Sequence, residues 1–141
     1  MGHTATFIYY LTIVNYMQEN LPQELEVRYI LPAIRKGLAI IFIENNKLSQ
    51  KETADILGLT EAAISQYRHS KRAKEVVFSD DIVREIKSSA KKILADKTNR
   101  QLLVAEMYRI ANLTTVKQTL CGIHRSQSKE LKNCNICFGR F

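Results

Sequence analysis

The run LSQKETADILGLTEAAISQYRHSKRAK, residues 48–74, restricts the possible fold more than any other part of the chain. Ser49 and Glu52 form a capping box, in which each side chain accepts a hydrogen bond from the other residue's backbone N–H at a helix start. Gly58 can adopt the left-handed backbone that ends a helix, and Thr60 can cap a second helix. The run therefore predicts two short helices joined by a tight turn, which is a helix-turn-helix.

The spacing of small and apolar residues supports this interpretation. Two helices that cross closely need a small residue at the crossing point, and Ala54 occupies it, four residues before the turn glycine Gly58. Leu59, Ile64 and Tyr67 have the spacing that faces the first helix. A purely structural helical hairpin is the alternative, but few capped helix pairs combine all of these positions.

The opposite face of the second helix would then enter the major groove of DNA. Gln66 can bond N6 and N7 of adenine, Glu61 can accept from cytosine N4, and Ala62 can contact a thymine methyl group. Ser65 and Thr60 can serve bases or phosphates. The predicted reading surface comprises Thr60, Glu61, Ala62, Ser65, Gln66 and His69.

A basic segment follows directly. Residues 47–74 contain six Lys or Arg against three Asp or Glu, in a chain whose formal charge is +7. We expect phosphate contacts from Arg68, Lys71, Arg72 and Lys74, and from the backbone N–H of Gln50 at the start of the first helix. A solvated basic face is the alternative for each of these side chains.

Two stretches, ILPAIRKGLA and LSQKETADILGLTEAAISQYRHSKR, resemble archaeal predicted transcriptional regulators with an XRE-type helix-turn-helix. Several members of that family carry a Cys-rich C-terminal segment ending in C-x-x-C. The resemblance covers residues 25–75 well and the C-terminal cysteines more loosely. It implies sequence-specific binding of double-stranded DNA by a dimer. Because one helix-turn-helix reads only a few base pairs, we expect a palindromic operator with half-sites about 34 Å apart.

The remaining pattern predicts an all-α fold, with additional helices around the helix-turn-helix. Only five Gly and two Pro occur in 141 residues, which favours helices. Residues 23–46 have helical apolar spacing, and Pro32 either opens the main helix or kinks a longer one. Ser79 is expected to cap a helix, and Thr98 with Gln101 a further one that breaks near Asn112.

All three cysteines and one histidine lie in CGIHRSQSKELKNCNIC near the end of the chain. The pattern is Cys121-x2-His124, nine residues, then Cys134-x2-Cys137, and we expect each pair to point at one ion from a tight turn. Disulfides are a poor explanation because three cysteines cannot all pair within one chain. Chance clustering of inert thiols is the other alternative.

A Cys3His shell suits tetrahedral zinc, which is slightly favoured, and an iron–sulfur cluster is the other possibility. Nearby cations, Arg125, Lys129 and Lys132, are expected to lower the thiol pKa values and make the site sensitive to oxidants. The site is then either a metal or redox sensor or a purely structural zinc site. A zinc-knuckle RNA-binding protein is a minor alternative, and an enzyme is not expected because four protein ligands leave zinc no open position.

These patterns predict four regions: an apolar segment at 1–22 for packing or dimerisation, a DNA-binding domain at 23–78, a helical connector or dimerisation region at 79–118, and a metal-binding tail at 119–141. The apolar stretch FIYYLTIV is too short to cross a membrane, and no signal-peptide pattern surrounds it. A vector-derived or mistranslated leader is another explanation of the first residues. We expect a cytoplasmic protein without a small-molecule substrate.

Overall fold

The computed structural model describes residues 21–127 and 129–139, and every regular element in this part of the chain is helical. The all-α prediction is therefore confirmed for these residues. The interpretation of residues 1–22 as a packing or dimerisation segment falls almost wholly outside them. No helix in the described ranges is both long and apolar enough to span a bilayer.

Helix α1 is a continuous helical run in which α and π turns alternate. Pro22 opens it in the first helical position, where its missing N–H costs nothing, and the Glu24 carboxylate accepts a 2.6 Å hydrogen bond from the Leu21 N–H. The run comprises α-helical Pro22–Leu25, π-helical Glu26–Ile30, α-helical Leu31–Ile40 and π-helical Ile41–Asn45.

Pro32 lies in the first turn of the α-helical segment Leu31–Ile40, as one of the two predicted alternatives has it, and this segment continues a longer helical run. Proline has no N–H for the carbonyl four residues back, so a regular α-helix would leave that carbonyl unsatisfied. The wider π turn Glu26–Ile30 directly precedes the proline segment, which is the common way for a helix to absorb such a defect. The helical run therefore continues from Glu26–Ile30 into Leu31–Ile40 without a break.

Helices α2 (Gln50–Leu57) and α3 (Glu61–Arg68) begin after the predicted caps Ser49 and Thr60, and α2 ends before Gly58 as predicted. The placement of His69 on the second helix is wrong, because α3 ends at Arg68 and His69 is its C-cap residue. The Ser49 N–H donates to Glu52 Oε2 at 2.8 Å, and the Glu52 N–H donates to Ser49 Oγ at 3.1 Å. The backbone hydrogen bond from Ser49, followed by that of its side chain, lowers the pKa of the Glu52 carboxyl. Gly58 has the left-handed backbone, with φ of 65°, that ends α2.

Three longer helices complete the described fold: α4 (Asp80–Ala95), α5 (Arg100–Ala111) and α6 (Thr114–Gln127). Ser79 precedes α4 as predicted, but its side chain makes no capping hydrogen bond. The prediction of a Thr98 cap is wrong, because Asn99 caps α5 by accepting from the Leu102 N–H at 2.9 Å. The predicted break near Asn112 is confirmed. Two 3-10 turns, Lys129–Leu131 and Ile136–Phe138, follow α6.

The apolar stripe of α1 forms the middle of the core. Ile30, Ile34, Leu38 and Phe42 are fully buried, and α1 packs against each of the helices α2 to α6. The predicted apolar face of α4 packs there too, through buried Ile82, Ile86, Ala90 and Ile93. The helix pair and the C-terminal helix are thus held on one shared element.

A polar network ties α4 to α5. The Glu106 carboxylate, which is only 7% exposed, accepts from Ser89 Oγ at 2.5 Å, Lys92 Nζ at 3.1 Å and Arg109 Nε at 3.1 Å. Arg109 also donates to Glu85 Oε2 at 2.6 Å. Burial alone would raise the pKa of Glu106, but the hydrogen bonds from Ser89, Lys92 and Arg109 together lower it.

Gly58→Ala should lower the free energy of unfolding by about 1–2 kcal/mol, because a side chain is strained at a φ of 65° and its Cβ would lie 3.3 Å from Arg100 Nη1. Gly122→Ala is the matched control. It lies inside α6 with open space around the added methyl, so it should stabilise by about 0.5–1 kcal/mol. Urea unfolding of both variants checks this, and equal effects would contradict the turn geometry.

Glu106→Gln should destabilise by about 1–2 kcal/mol at neutral pH, because the amide cannot replace three charge-assisted hydrogen bonds. The folded pKa lies below the ordinary carboxyl value, so the stabilisation is present above that value and disappears as pH falls through the lowered pKa. The difference between the variant and the native chain should therefore shrink in acid. Urea midpoints measured from pH 7 to pH 3 test this, with exposed Glu44→Gln as control.

Candidate nucleic-acid interface and thiol cluster

The inner face of the α2–α3 pair is buried as the spacing predicts. Ala54, Ile64 and Tyr67 are 3%, 0% and 2% exposed, and Leu59 is half-buried against the same core. Ala63, which the sequence interpretation did not assign to either face, is buried as well. This packing fixes which side of α3 remains available.

The other side of α3 lies open in the described part of the chain. Thr60, Glu61, Ala62 and His69 are exposed, while Ser65 and Gln66 are half-buried. The Thr60 hydroxyl oxygen accepts from the Ala63 N–H at 3.1 Å, so it is already engaged as a helix cap. Its hydroxyl hydrogen stays available for a phosphate or a base acceptor.

The predicted phosphate-binding residues border this surface. Arg68, Lys71, Arg72 and Lys74 are exposed, and Gln50 is the half-buried first residue of α2. The chain turns sharply here, because Ser70 and Ala73 both have a φ of 54°, a left-handed conformation unusual for residues with a Cβ. Arg72 lies over the Tyr67 ring, 5.8 Å from its centroid.

Sequence reasoning missed Arg100, which joins α5 to the helix pair. Its guanidinium donates to the Ile56 carbonyl at 2.9 Å and to the Asp55 carbonyl at 2.7 Å, both in the last turn of α2. Such carbonyls have no intrahelical partner, and a cation there also opposes the negative end of the helix dipole. No local pattern reveals this contact, because the partners are more than 40 residues apart.

Sequence reasoning also missed Arg28 and Arg35, which lie on α1 beside the basic segment. Together with Lys71 and Arg72 they line one cleft whose floor includes Tyr67. Positions 28, 32 and 35 share one helix face, so helical spacing was the available signal. Only the fold shows that this face meets the residues after α3.

The four predicted metal ligands lie in one region but not in two tight turns. Cys121 and His124 are both buried, one helical turn apart on the same face of α6, so the predicted turn for this pair is wrong. Cys134 follows the first 3-10 turn, and Cys137 lies in the second. Sγ of Cys121 lies 3.9 Å from the Cys134 carbonyl oxygen.

The pKa of the Cys137 thiol depends on its surroundings in the tail. Burial raises the pKa of the Cys137 thiol, and the nearby Cys121 and Cys134 sulfurs raise it further. The expected lowering by neighbouring cations is not found for this thiol. Arg125 instead donates from Nε to the Cys134 carbonyl at 2.7 Å, which fastens the tail to α6.

Within residues 21–127 and 129–139, no three or more His, Cys, Asp or Glu side chains are grouped in a way that could hold a metal ion. The donor types and their proximity fit zinc or an iron–sulfur cluster, whereas their arrangement in this structure does not form a closed shell. The tail therefore contains a thiol cluster, and its metal-binding role remains a prediction.

Comparison of the chain with protein-family models, curated proteins and solved structures finds no match. The resemblance to archaeal XRE-type regulators therefore stays a prediction.

Proposed function

We propose that the chain is a cytoplasmic, sequence-specific DNA-binding transcriptional regulator that acts as a dimer. The observation that carries this proposal is the difference between the two sides of α3. One side is sealed against α2 and the core, and the opposite side presents polar side chains that the described residues leave uncovered. A short helix held in this way can enter the major groove without rearrangement.

In this proposal the α2–α3 pair is a helix-turn-helix and α3 is its recognition helix. Gln66 reads adenine through its amide, and Glu61 accepts from cytosine N4. Ala62 contacts a thymine methyl group, while Ser65 and His69 contact bases or the backbone at the edges of the site. Thr60 is assigned to a phosphate, because its oxygen already caps α3.

Affinity comes from charge in this proposal. Arg68, Lys71, Arg72 and Lys74 lie after α3, where they can neutralise phosphates, and the Gln50 N–H points out of the start of α2. Phosphate contacts of this kind release counterions and make binding depend on salt, but they carry no sequence information.

The dimeric part of the proposal is supported by α5. Val104 and Tyr108 are 66% and 71% exposed and lie one helical turn apart. An apolar pair at this spacing gives two copies of α5 a self-complementary contact. A dimer would place two recognition helices on half-sites about 34 Å apart.

We also propose that the thiol cluster binds a zinc ion or an iron–sulfur cluster through Cys121, His124, Cys134 and Cys137. Support comes from the donor chemistry and from the fold, which brings the tail cysteines to the buried pair on α6. Such a group supplies a cross-link between the tail and α6 when bound. A sensory role and a purely structural one are distinguished by the metal experiment below.

Selection from a random duplex library should enrich one palindromic sequence. Gln66→Ala should then weaken binding to that operator by about 1–3 kcal/mol, with little change on random duplex, because it removes a base contact. Arg72→Ala should weaken binding to both duplexes and reduce the salt slope by about 1. Fluorescence anisotropy across a salt series measures all of these quantities.

Arg84→Ala is the control for charge, since Arg84 is exposed on α4 and pairs with Asp81 in the preceding turn. It should leave both affinities unchanged. A duplex library that yields no enriched sequence would overturn the proposed function, and so would tighter binding to single-stranded RNA than to duplex DNA in the same anisotropy assay.

Chain purified without chelator should contain about one zinc ion, or the iron and sulfide of one cluster, per molecule. His124→Ala should reduce this content, whereas His69→Ala should not, because His69 lies at the end of α3. Elemental analysis measures the content. Operator affinity before and after chelation then shows whether the group is sensory, and equal affinities would make it purely structural.

A further inference from the structure

The cleft between α1 and the segment after α3 is lined mainly by positively charged side chains among its ionisable groups. It has a volume of about 480 Å³ and is lined by Arg28 and Arg35 from α1, by Lys71 and Arg72, and by one acidic residue, Glu75. Within residues 21–127 and 129–139, none of the four cations forms a salt bridge. Like charges gathered around one cleft repel each other, and an anion between them would remove that cost.

Two of these guanidinium groups are already oriented by aromatic rings. Arg28 lies 5.3 Å from the centroid of Tyr29, and Arg72 lies 5.8 Å from the centroid of Tyr67. A cation–π contact leaves the guanidinium edge free, so its N–H groups can still donate to oxygen. Guanidinium groups held in a fixed orientation can donate two parallel hydrogen bonds to phosphate, which freely moving lysine ammonium groups cannot do.

The fold also holds the two sides of the cleft together. The Lys36 Nζ group lies 3.5 Å from Ser70 Oγ, which links α1 to the segment after α3. The Lys71 N–H donates to the Gln66 carbonyl at 2.8 Å, so the segment continues directly from the last turn of α3. The left-handed residues Ser70 and Ala73 bend it back toward α1.

We propose that this cleft is a phosphate-binding site built by Arg28, Arg35, Lys71 and Arg72. Tyr67 forms part of its lining, while the neighbouring Gln66 lies on the reading surface. If the bound phosphate belongs to the DNA backbone, it would hold the recognition helix beside the groove. DNA as the source of the phosphate rests on the proposed function. A free phosphate or the phosphate of a small anion would occupy the same donors.

The test uses the double variant Arg28→Gln/Arg35→Gln in the full chain, with Arg84→Gln as the matched control on α4. Arg28 and Arg35 lie outside the buried core, so the variant should fold, as circular dichroism will check. On random duplex DNA the double variant should bind about tenfold more weakly, with a salt slope reduced by about 2, because two phosphate contacts are lost. The control should change neither quantity.

A second arm titrates inorganic phosphate and follows the backbone amide NMR signals of Tyr67 and Ala73. One outcome is that the native chain shows saturable shifts with phosphate, the double variant does not, and both chains have the same DNA salt slope. This outcome assigns the cleft to a free anion. A reduced salt slope without phosphate-dependent shifts assigns it to the DNA backbone. Unchanged salt slope together with absent phosphate shifts would overturn the site.

The two arms also separate this inference from the proposed function. If the native chain fails to bind duplex DNA but shows phosphate shifts that the double variant loses, the cleft stands and the proposed function fails. If DNA binding is sequence-specific while neither arm responds to the double variant, the proposed function stands and the cleft is refuted.

Discussion

Burial of the apolar stripe on α1 is the interaction on which the rest of the structure depends. Ile30, Ile34, Leu38 and Phe42 have essentially no exposed surface, and every other described helix packs against α1. Burial of apolar surface stabilises the folded chain by about 25 cal/mol for each Å² removed from water, so these four large side chains contribute substantially. The α2–α3 pair, the α4–α5 layer and α6 take their positions from it.

The polar contacts define how the outer helices are oriented on this core. Hydrophobic packing is not directional, whereas the Glu106 network and the Arg100 contacts require particular donors to meet particular acceptors. Arg100 is the more informative of the two for function, because it connects α5 to the end of α2. The exposed Val104–Tyr108 pair lies on the same helix as Arg100.

The proposed activities share this framework. The proposed DNA surface lies on α3, the phosphate cleft lies between α1 and the segment after α3, and the thiol cluster joins the tail to α6. The tail packs on α6, and α6 and α3 both pack against α1, so the tail and the proposed DNA surface are joined by packed helices. These contacts show only that the parts are neighbours. The operator affinities of metal-loaded and metal-free chain show whether the tail and the proposed DNA surface are energetically coupled.

Local sequence determined the helices and their ends. The Ser49–Glu52 box, Gly58 and Thr60 each act within one turn of chain, so both ends of α2, the start of α3 and the buried side of α3 were predictable. The Thr98 prediction failed because two adjacent residues can both cap, and the fold selected Asn99. The three cysteines and His124 were proposed as metal ligands from their spacing, which stays a prediction, and the turn expected around Cys121 and His124 is a helix.

Only the tertiary structure decided which distant groups meet. Arg28 and Arg35 form a cleft with Lys71 and Arg72 because α1 packs beside the end of α3, and Arg100 reaches α2 because α5 lies against it. Such contacts join residues separated by more than 30 positions, so neither helical periodicity nor capping chemistry can specify them. These contacts form because several helices bury their apolar faces against one another at the same time. The sequence of one segment does not show which other segments it will pack against.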